Sequence, residues 1–494
     1  MTLRCIDRPW AAACWRHTPT LAVCLLLALH GCASVEPQPA SPVGVDVPAA
    51  WSSAAPATPA GASSLVQWWS RFDDPLLVSL VGQALQANTS VHSAQAALRQ
   101  ARALRDVTAA GLLPTLGATA AAQRSRTGNN GTTSGNYRAG LDASWEPDVF
   151  GGNQSALDAS EATVLAIAAR LGDVQVSVAA EVALGYITLR GAQTLLAIAN
   201  DNLAIQQETL QLTQWRLQAG LVSSLEAEQA RGAVEQTRAQ LPALQTSIEQ
   251  SRHALAVLTG RPPAALSSVL ADAQPVPQPA GDLALAIPAD TLRQRPDVRD
   301  AEHQVAAALA RVAQADAARL PSFRLSGSIG LTALTLGALT SGTSVVSALA
   351  AGVSVPVFDG GAARAQVRAQ QAALDQADLS YQATVLTALQ DVEDALVALG
   401  GDRERVARLQ SAAEAATNAA LLARHRYASG LTDFQTVLDT QRTQLVAQES
   451  VAAASANLSA DHVRLYKALG GGWRPEGRDA VGAAAADFTG RSHP

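Results

Sequence analysis

The sequence predicts a mainly α-helical chain with membrane β-structure, built from two copies of one unit. Three observations lead there. The second half repeats landmarks of the first, short segments alternate apolar and polar residues, and two runs of roughly 65 residues carry no strong helix-stopping signal. Composition agrees, because aromatics are 4% and charged residues 16% of a chain whose apolar fraction is mostly alanine. Alanine favours long, closely packed helices over a thick globular interior.

The duplication rests on four landmarks in order. LPTL (113–116) is answered by LPSF (320–323), and PDVFGG (147–152) by PVFDGG (356–361). RLQAGLVSSLEAEQAR (216–231) is answered by RYASGLTDFQTVLDTQR (426–442), and LTG ending at Gly260 by ALG ending at Gly470. The offset stays near ~208 positions, so residues 65–260 and 291–470 are predicted to be the same supersecondary unit, joined by a linker at 261–290. Each unit holds a helix, a strand pair and a long helical hairpin.

The strand pairs are placed at about 115–146 and 322–358. Phe323, Leu325, Gly327, Ile329 and Leu331 alternate with Ser322, Arg324, Ser326, Ser328 and Gly330, while Leu349, Ala351, Val353, Val355 and Val357 repeat the pattern. Tyr137, Ala139, Leu141, Ala143 and Trp145 do so in the first half; the strand before them is weaker, Leu116 and then mainly alanines. Alternation over ten or so residues suits a tilted strand of a membrane barrel. A soluble sandwich strand has the same period, but four strands cannot close a barrel or hide their edges. Several chains pooling their strands could.

The hairpins are predicted at about 153–258 and 362–468, with tips near Gly220 and Gly430. The longer arm of each would reach about 100 Å at 1.5 Å per residue. Gly400 and Gly401 are the one interruption of the second arm, and Pro242 is expected to kink the first companion helix. Leu241, Leu244, Ile248, Leu255 and Leu258 recur at three and four, as do Leu389, Val392, Leu396 and Leu399. Helices of this kind pack on each other and on neighbouring subunits.

The N-terminus specifies export. Arg4, Arg8 and Arg16 precede the apolar run LAVCLLLAL (21–29), too short to span a bilayer, and a glycine precedes Cys32. Residues 1–31 read as a lipoprotein signal peptide with the lipobox LHGC, ordinary cleavage at another site being the alternative. Cys5, Cys14 and Cys24 would leave with it, so Cys32 has no disulfide partner within the mature chain and is the candidate for acylation. The Pro/Ala/Ser-rich stretch 32–64 then serves as a flexible tether, and 471–494 as a disordered tail. Ala33 follows the cysteine, which places the mature protein at the outer membrane, extending into the periplasm. Cleavage also removes three arginines and one aspartate, leaving the mature chain more acidic than the full-length net charge of −6. No nucleic-acid partner is expected.

No chemistry-bearing motif emerges. The eight histidines are scattered without HExxH or Cys/His spacing, and there is neither a nucleophile elbow nor a phosphate-binding glycine loop. His253 and His303 read as helix-surface or interhelix residues, and Met1 is the only methionine, so soft thioether ligands are lacking. No enzyme, metal or cofactor is expected beyond a covalent lipid on Cys32.

With the lipobox, the duplicated unit and the paired tips in hand, the chain resembles the TolC-like outer-membrane efflux proteins, in their lipoprotein branch. WEPDVFGG (145–152), VLTGRPPAAL (257–266), LRQRPDVRDAE (292–302), LPSF and PVFDGG carry the likeness over roughly residues 65–470. The resemblance implies a homotrimer whose chains each lend four strands to a twelve-stranded outer-membrane β-barrel and their coiled-coil helices to a periplasmic α-barrel. It implies a periplasmic adaptor and an inner-membrane transporter, commonly proton-driven, as partners of a passive exit duct for small toxic compounds and drugs. Related channels serve ATP-driven polypeptide secretion, which is the alternative; a structural lipoprotein bridging the envelope is a third reading that the alternating strands oppose.

The resemblance also implies a periplasmic gate. Asp439 matches an acid lining the constriction; Thr436 occupies the place of a frequent second acid, Tyr427 that of a tyrosine holding the hairpins closed, and Thr432 that of a linking arginine. Gly220, Leu221, Gly430 and Leu431 match the adaptor-contact tips. Three Asp439 carboxylates around one axis would repel each other and favour cations. The plainer alternative is a solvated acid paired with Arg442.

Overall fold

The computed structural model describes residues 47–52, 65–126, 133–279, 288–341 and 344–474. The signal peptide, Cys32, most of the tether, part of the linker and the tail beyond residue 474 lie outside the described residues. The chain divides into two compact units, one containing Arg105–Ser160 and Ala307–Leu374, the other Pro42–Leu104, Glu161–Ala306 and Asp375–Pro494.

The first unit is built on a four-stranded antiparallel sheet in the order β1 (Thr115–Arg126), β2 (Thr133–Trp145), β3 (Ser322–Ala333) and β4 (Val345–Ser354). The register Leu116↔Ala143, Leu141↔Ile329 and Leu325↔Ala351 carries the period-two residues of all four strands onto one face. That face stays exposed: Leu349 is 80% and Leu116 72% accessible, and Ile329, Val345 and Val353 are also uncovered. Two arginines of this face, Arg124 and Arg126, sit at the loop end of β1. Arg138, Asp142, Ser328 and Arg324 occupy the opposite face, where Thr119 donates to Asp142 at 2.8 Å. β1 and β4 are edge strands, paired on one side only.

The sequence placed Val355 and Val357 in the last strand; the structure ends it at Ser354. Pro356 has no N–H to give the ladder, so pairing stops there. Val357 and Phe358 are then 95% and 92% exposed.

Helices flank the strands in matching order. α1 (Pro75–Ala87) and α2 (Thr89–Ala110) precede β1; α3 (Gly152–Gln218) and α4 (Ser224–Leu258) follow β2. After the linker come α5 (Pro288–Gln294) and α6 (Pro296–Ala317), and after β4 come α7 (Ala362–Ala428) and α8 (Phe434–Ala468). α3 and α7 are 67 residues each and α4 and α8 are 35 each, so the copies agree to the residue. Helix α4 continues through Pro242 and α7 through Gly400 and Gly401.

The second unit holds the core. Trp68 stacks on Tyr466 with ring centroids 5.1 Å apart, and Phe72, Leu77, Leu80, Val182, Leu189 and Leu255 close around them. The LTG and ALG landmarks are explained here. Gly260 and Gly470 both have φ +70°, ending α4 and α8, and a Cβ on either would press on the backbone of Ala87 or Arg295. Beside each, one side chain caps the last turn of the ended helix: Asn88 donates to the Leu258 carbonyl at 2.9 Å, and Arg295 to that of Ala468 at 2.8 Å. Arg295 is also bonded to Asp297 at 2.6 Å and Asp391 at 3.0 Å, tying α5, α6, α7 and α8 together.

Candidate functional site

The two hairpin turns come together within the second unit. Gly220 and Gly430 have φ +72° and +70°, a left-handed conformation that suits glycine. Leu221 and Leu431, each following its glycine, are 73% and 72% exposed. Each turn is closed alike: the Leu221 N–H donates to the Arg216 carbonyl at 2.9 Å, and the Leu431 N–H to that of Arg426 at 2.8 Å.

The copies differ in how their companion helices begin. Ser223 caps α4 without a side-chain bond, whereas Asp433 caps α8, accepting from both the N–H and the hydroxyl of Thr436 at 2.7 Å. Those two bonds hold the Asp433 carboxyl below its ordinary value of 3.8. Thr436, where the family resemblance suggested a frequent second acid, therefore serves the cap of its own helix.

Tyr427 is buried at the end of α7 against Phe434, with ring centroids 5.4 Å apart, in a small cluster with Ala423, Val437 and Ala230 of the first hairpin. Its hydroxyl donates to Glu226 Oε2 on α4 at 3.1 Å. Arg216 of α3 completes the arrangement, its guanidinium 4.5 Å from the Tyr427 ring centroid and donating to the carbonyls of Tyr427 at 3.3 Å and Ala428 at 3.0 Å. Those carbonyls lie at the C-terminus of α7, where a cation is favoured, and the Tyr427 carbonyl also accepts from the Gly430 N–H at 3.0 Å. Burial first, then the bond to Glu226, raises the Tyr427 phenol above its usual 10.0, against Arg216, which pulls it down. The hydroxyl therefore remains a donor at neutral pH. A second link, Arg424 to Glu208 at 3.4 Å, lies further along the same pair of long helices.

The family resemblance pointed to Tyr427, which the structure places between the two hairpins, and not to Arg216 or Glu226. The signal for them was the tip repeat itself, since Arg216 and Arg426 hold equivalent places and Glu226 lies where the second copy has Thr436. Thr432, where a linking arginine was suggested by relatives, is half-buried in the turn; Arg216 enters from the other hairpin.

Asp439 is exposed one and a half turns into α8. Gln435 donates to its Oδ1 at 2.9 Å, and no ion pair joins it to Arg442 among the described residues. It lines a groove of about 240 Å³ between α7 and α8 with Thr436, Thr440 and Thr443 on one side and Ala416 and Ala419 on the other. The small alanines leave the carboxylate open to water. Tyr427 faces the other hairpin and Asp439 this groove, so the two act in different places. Among the described residues no group of three or more His, Cys, Asp or Glu could hold a metal ion. His253 is exposed and His303 half-buried, on separate helices.

The family model for outer membrane efflux proteins matches residues 80–261 and 287–471, both copies of the repeat. The chain belongs to the outer membrane efflux protein family. This efflux protein is 32% identical over 468 residues to outer membrane protein OprJ of Pseudomonas aeruginosa, covering 92% of this chain and 96% of that one. It is 33% identical to the pyoverdine export outer membrane protein OpmQ of the same species, covering 93% and 98%. Among solved structures, the outer-membrane channel OprN is 36% identical with a TM-score of 0.78 over 87% of this chain and 99% of that one. The open-state MtrE channel of Neisseria gonorrhoeae is 28% identical with a TM-score of 0.79 over 90% and 99%. The efflux protein is thus a TolC-like outer-membrane channel, extending into the periplasm, and not an enzyme.

Proposed function

We propose that the protein is the exit duct of a tripartite efflux system, working as a homotrimer with a periplasmic adaptor and a proton-driven inner-membrane transporter. One observation carries the reading: a sheet with an exposed apolar face, a polar opposite face and two unpaired edges. Three such sheets joined edge to edge would satisfy β1 and β4 and turn the apolar face to lipid. Cys32, with its lipid, would add an anchor in the same membrane.

In this reading the paired tips are the periplasmic mouth. Tyr427, Glu226 and Arg216 hold one hairpin of a protomer against the other, and Asp439 contributes one carboxylate per protomer to a cation-favouring constriction, with Thr436 in place of a second acid. Gly220, Leu221, Gly430 and Leu431 offer two solvent-exposed leucine turns per chain to the adaptor. The cargo is small toxic compounds; the pyoverdine and toluene efflux relatives, the latter TtgF of Pseudomonas putida at 31% identity, favour this over polypeptide secretion.

Full-length protein reconstituted in planar bilayers tests the reading. It should conduct, prefer cations, and change selectivity or conductance in Asp439→Ala. Absence of conductance from both proteins would remove the channel assignment.

A further inference from the structure

The duplicated loops that follow β2 and β4 have different surroundings. Val149 and Phe150, between β2 and α3, pack within the chain on the junction of α6 and β3. Phe150 lies against Phe323 with ring centroids 6.2 Å apart, and both line a cavity of about 280 Å³ with Leu320 and Pro321. The approach is close, since a Cβ on Gly152 would stand 3.2 Å from that of Ala317. Val357 and Phe358, between β4 and α7, are 95% and 92% exposed, against 43% and 40% for Val149 and Phe150. A Cβ on Gly360 or Gly361 beside them would meet nothing within 4 Å.

The repeat supplies the missing seat. LPSF at the α6–β3 junction corresponds to LPTL at the α2–β1 junction, so Leu320, Pro321 and Phe323 have Leu113, Pro114 and Leu116 as counterparts. Leu113 and Leu116 are bare too, at 65% and 72%, and lie at the other edge of the sheet. Edge strands of a four-stranded sheet stand about 14 Å apart, so this seat does not reach the loop of its own chain. A second copy can supply it. β1 begins at the end of the sheet where β4 finishes, so joining the β4 edge of one chain to the β1 edge of the next lays exposed loop on exposed junction. Such a contact runs head to tail, and with the right rotation it closes a ring.

On the homotrimer reading, we infer that Val357 and Phe358 of each protomer seat on Leu113, Pro114 and Leu116 of the next, as Val149 and Phe150 seat on the α6–β3 junction within the chain. The register of the seam follows. Leu116 lies opposite Ala143 and Phe323 opposite Val353, which makes Val353 the counterpart of Ala143. Inside the chain Ala143 lies opposite Gly327, whose counterpart is Ala120. The seam therefore sets Val353 of one protomer opposite Ala120 of the next, and both belong to the apolar face.

Full-length protein in outer membranes or detergent tests this. Val353→Cys with Ala120→Cys should give covalent dimers and trimers on non-reducing gels, with single-cysteine variants as controls for Cys32. Val353→Cys with Arg124→Cys, a position further along β1, should give none. Val357→Ser with Phe358→Ser should lower the temperature at which the heat-resistant oligomer dissociates by roughly 5 °C or more. Leu336→Ser, also exposed but at the opposite end of the sheet, should leave that temperature unchanged. The cysteine pairs leave the loop intact, so the register is read even where the serine variant fails to assemble. An oligomer in which Val353 bridges Arg124, or neither position, overturns the inference, as does a serine variant as heat-resistant as wild type. In both cases the homotrimer itself stands. Protein that stays monomeric throughout, wild type included, overturns the seat and the homotrimer together.

Discussion

Removing the Arg216 side chain is the sharpest perturbation of the hairpin contact. The guanidinium makes one good bond to a helix-end carbonyl at 3.0 Å, one long bond at 3.3 Å, and a ring contact at 4.5 Å. A charged hydrogen bond contributes roughly 1.5 kcal/mol and an exposed cation–π contact about 0.5–1 kcal/mol, and because Arg216 is only half-buried the lower ends apply. Arg216→Ala should therefore cost about 2 kcal/mol per protomer in the equilibrium between joined and separated hairpins, roughly 30-fold. Tyr427→Phe keeps the ring and loses the bond to Glu226, costing about 1 kcal/mol. Open probability in planar bilayers reads both. Arg216→Ala should couple to Tyr427→Ala by about 0.5–1 kcal/mol, since Arg216 lies over the ring. If Arg216→Ala opens no more often than wild type and shows no coupling to Tyr427→Ala, the clamp reasoning is wrong.

Three further outcomes follow from the same geometry. Arg295→Ala strands Asp297 and Asp391 and uncaps α8, so thermal or denaturant unfolding should show a loss of about 3–5 kcal/mol, with Arg295→Lys rescuing little because the fork-shaped contact is lost. Gly330→Val would drive a side chain into the Ala139 carbonyl, 2.7 Å from a Cβ placed there, and should abolish assembly in the outer membrane as judged by heat-resistant oligomer on gels. The Asp433 cap has a depressed pKa, so its stabilisation is present above the unfolded value near 3.8 and is lost as pH falls through the folded value. Exchange at the Thr436 amide should accelerate in acid in the wild type and be fast at every pH in Asp433→Ala.

Much of this architecture was legible because the chain states it twice. Alternation in β2 and β3 located the strands, and the absence of a strong stop between Asn153 and Gln218 located α3. The misplacement was local: valine alternation continued past Ser354, but Pro356 ended the ladder, a backbone effect that hydrophobicity does not register. At the tips, Tyr427 and Asp439 could be named from motif position, while Arg216 and Glu226 could not. Their roles depend on two hairpins meeting, with partners about 200 positions apart; the tip repeat aligns their positions but does not encode that contact.

Single-channel recording of purified full-length protein in planar bilayers is the most direct measurement of the central claim, that this chain forms a passive cation-preferring duct gated at its hairpin tips. Wild-type protein should give discrete cation-preferring conductance, and Asp439→Ala altered selectivity or larger conductance. Silent bilayers with both proteins, or identical selectivity in the two, would contradict it.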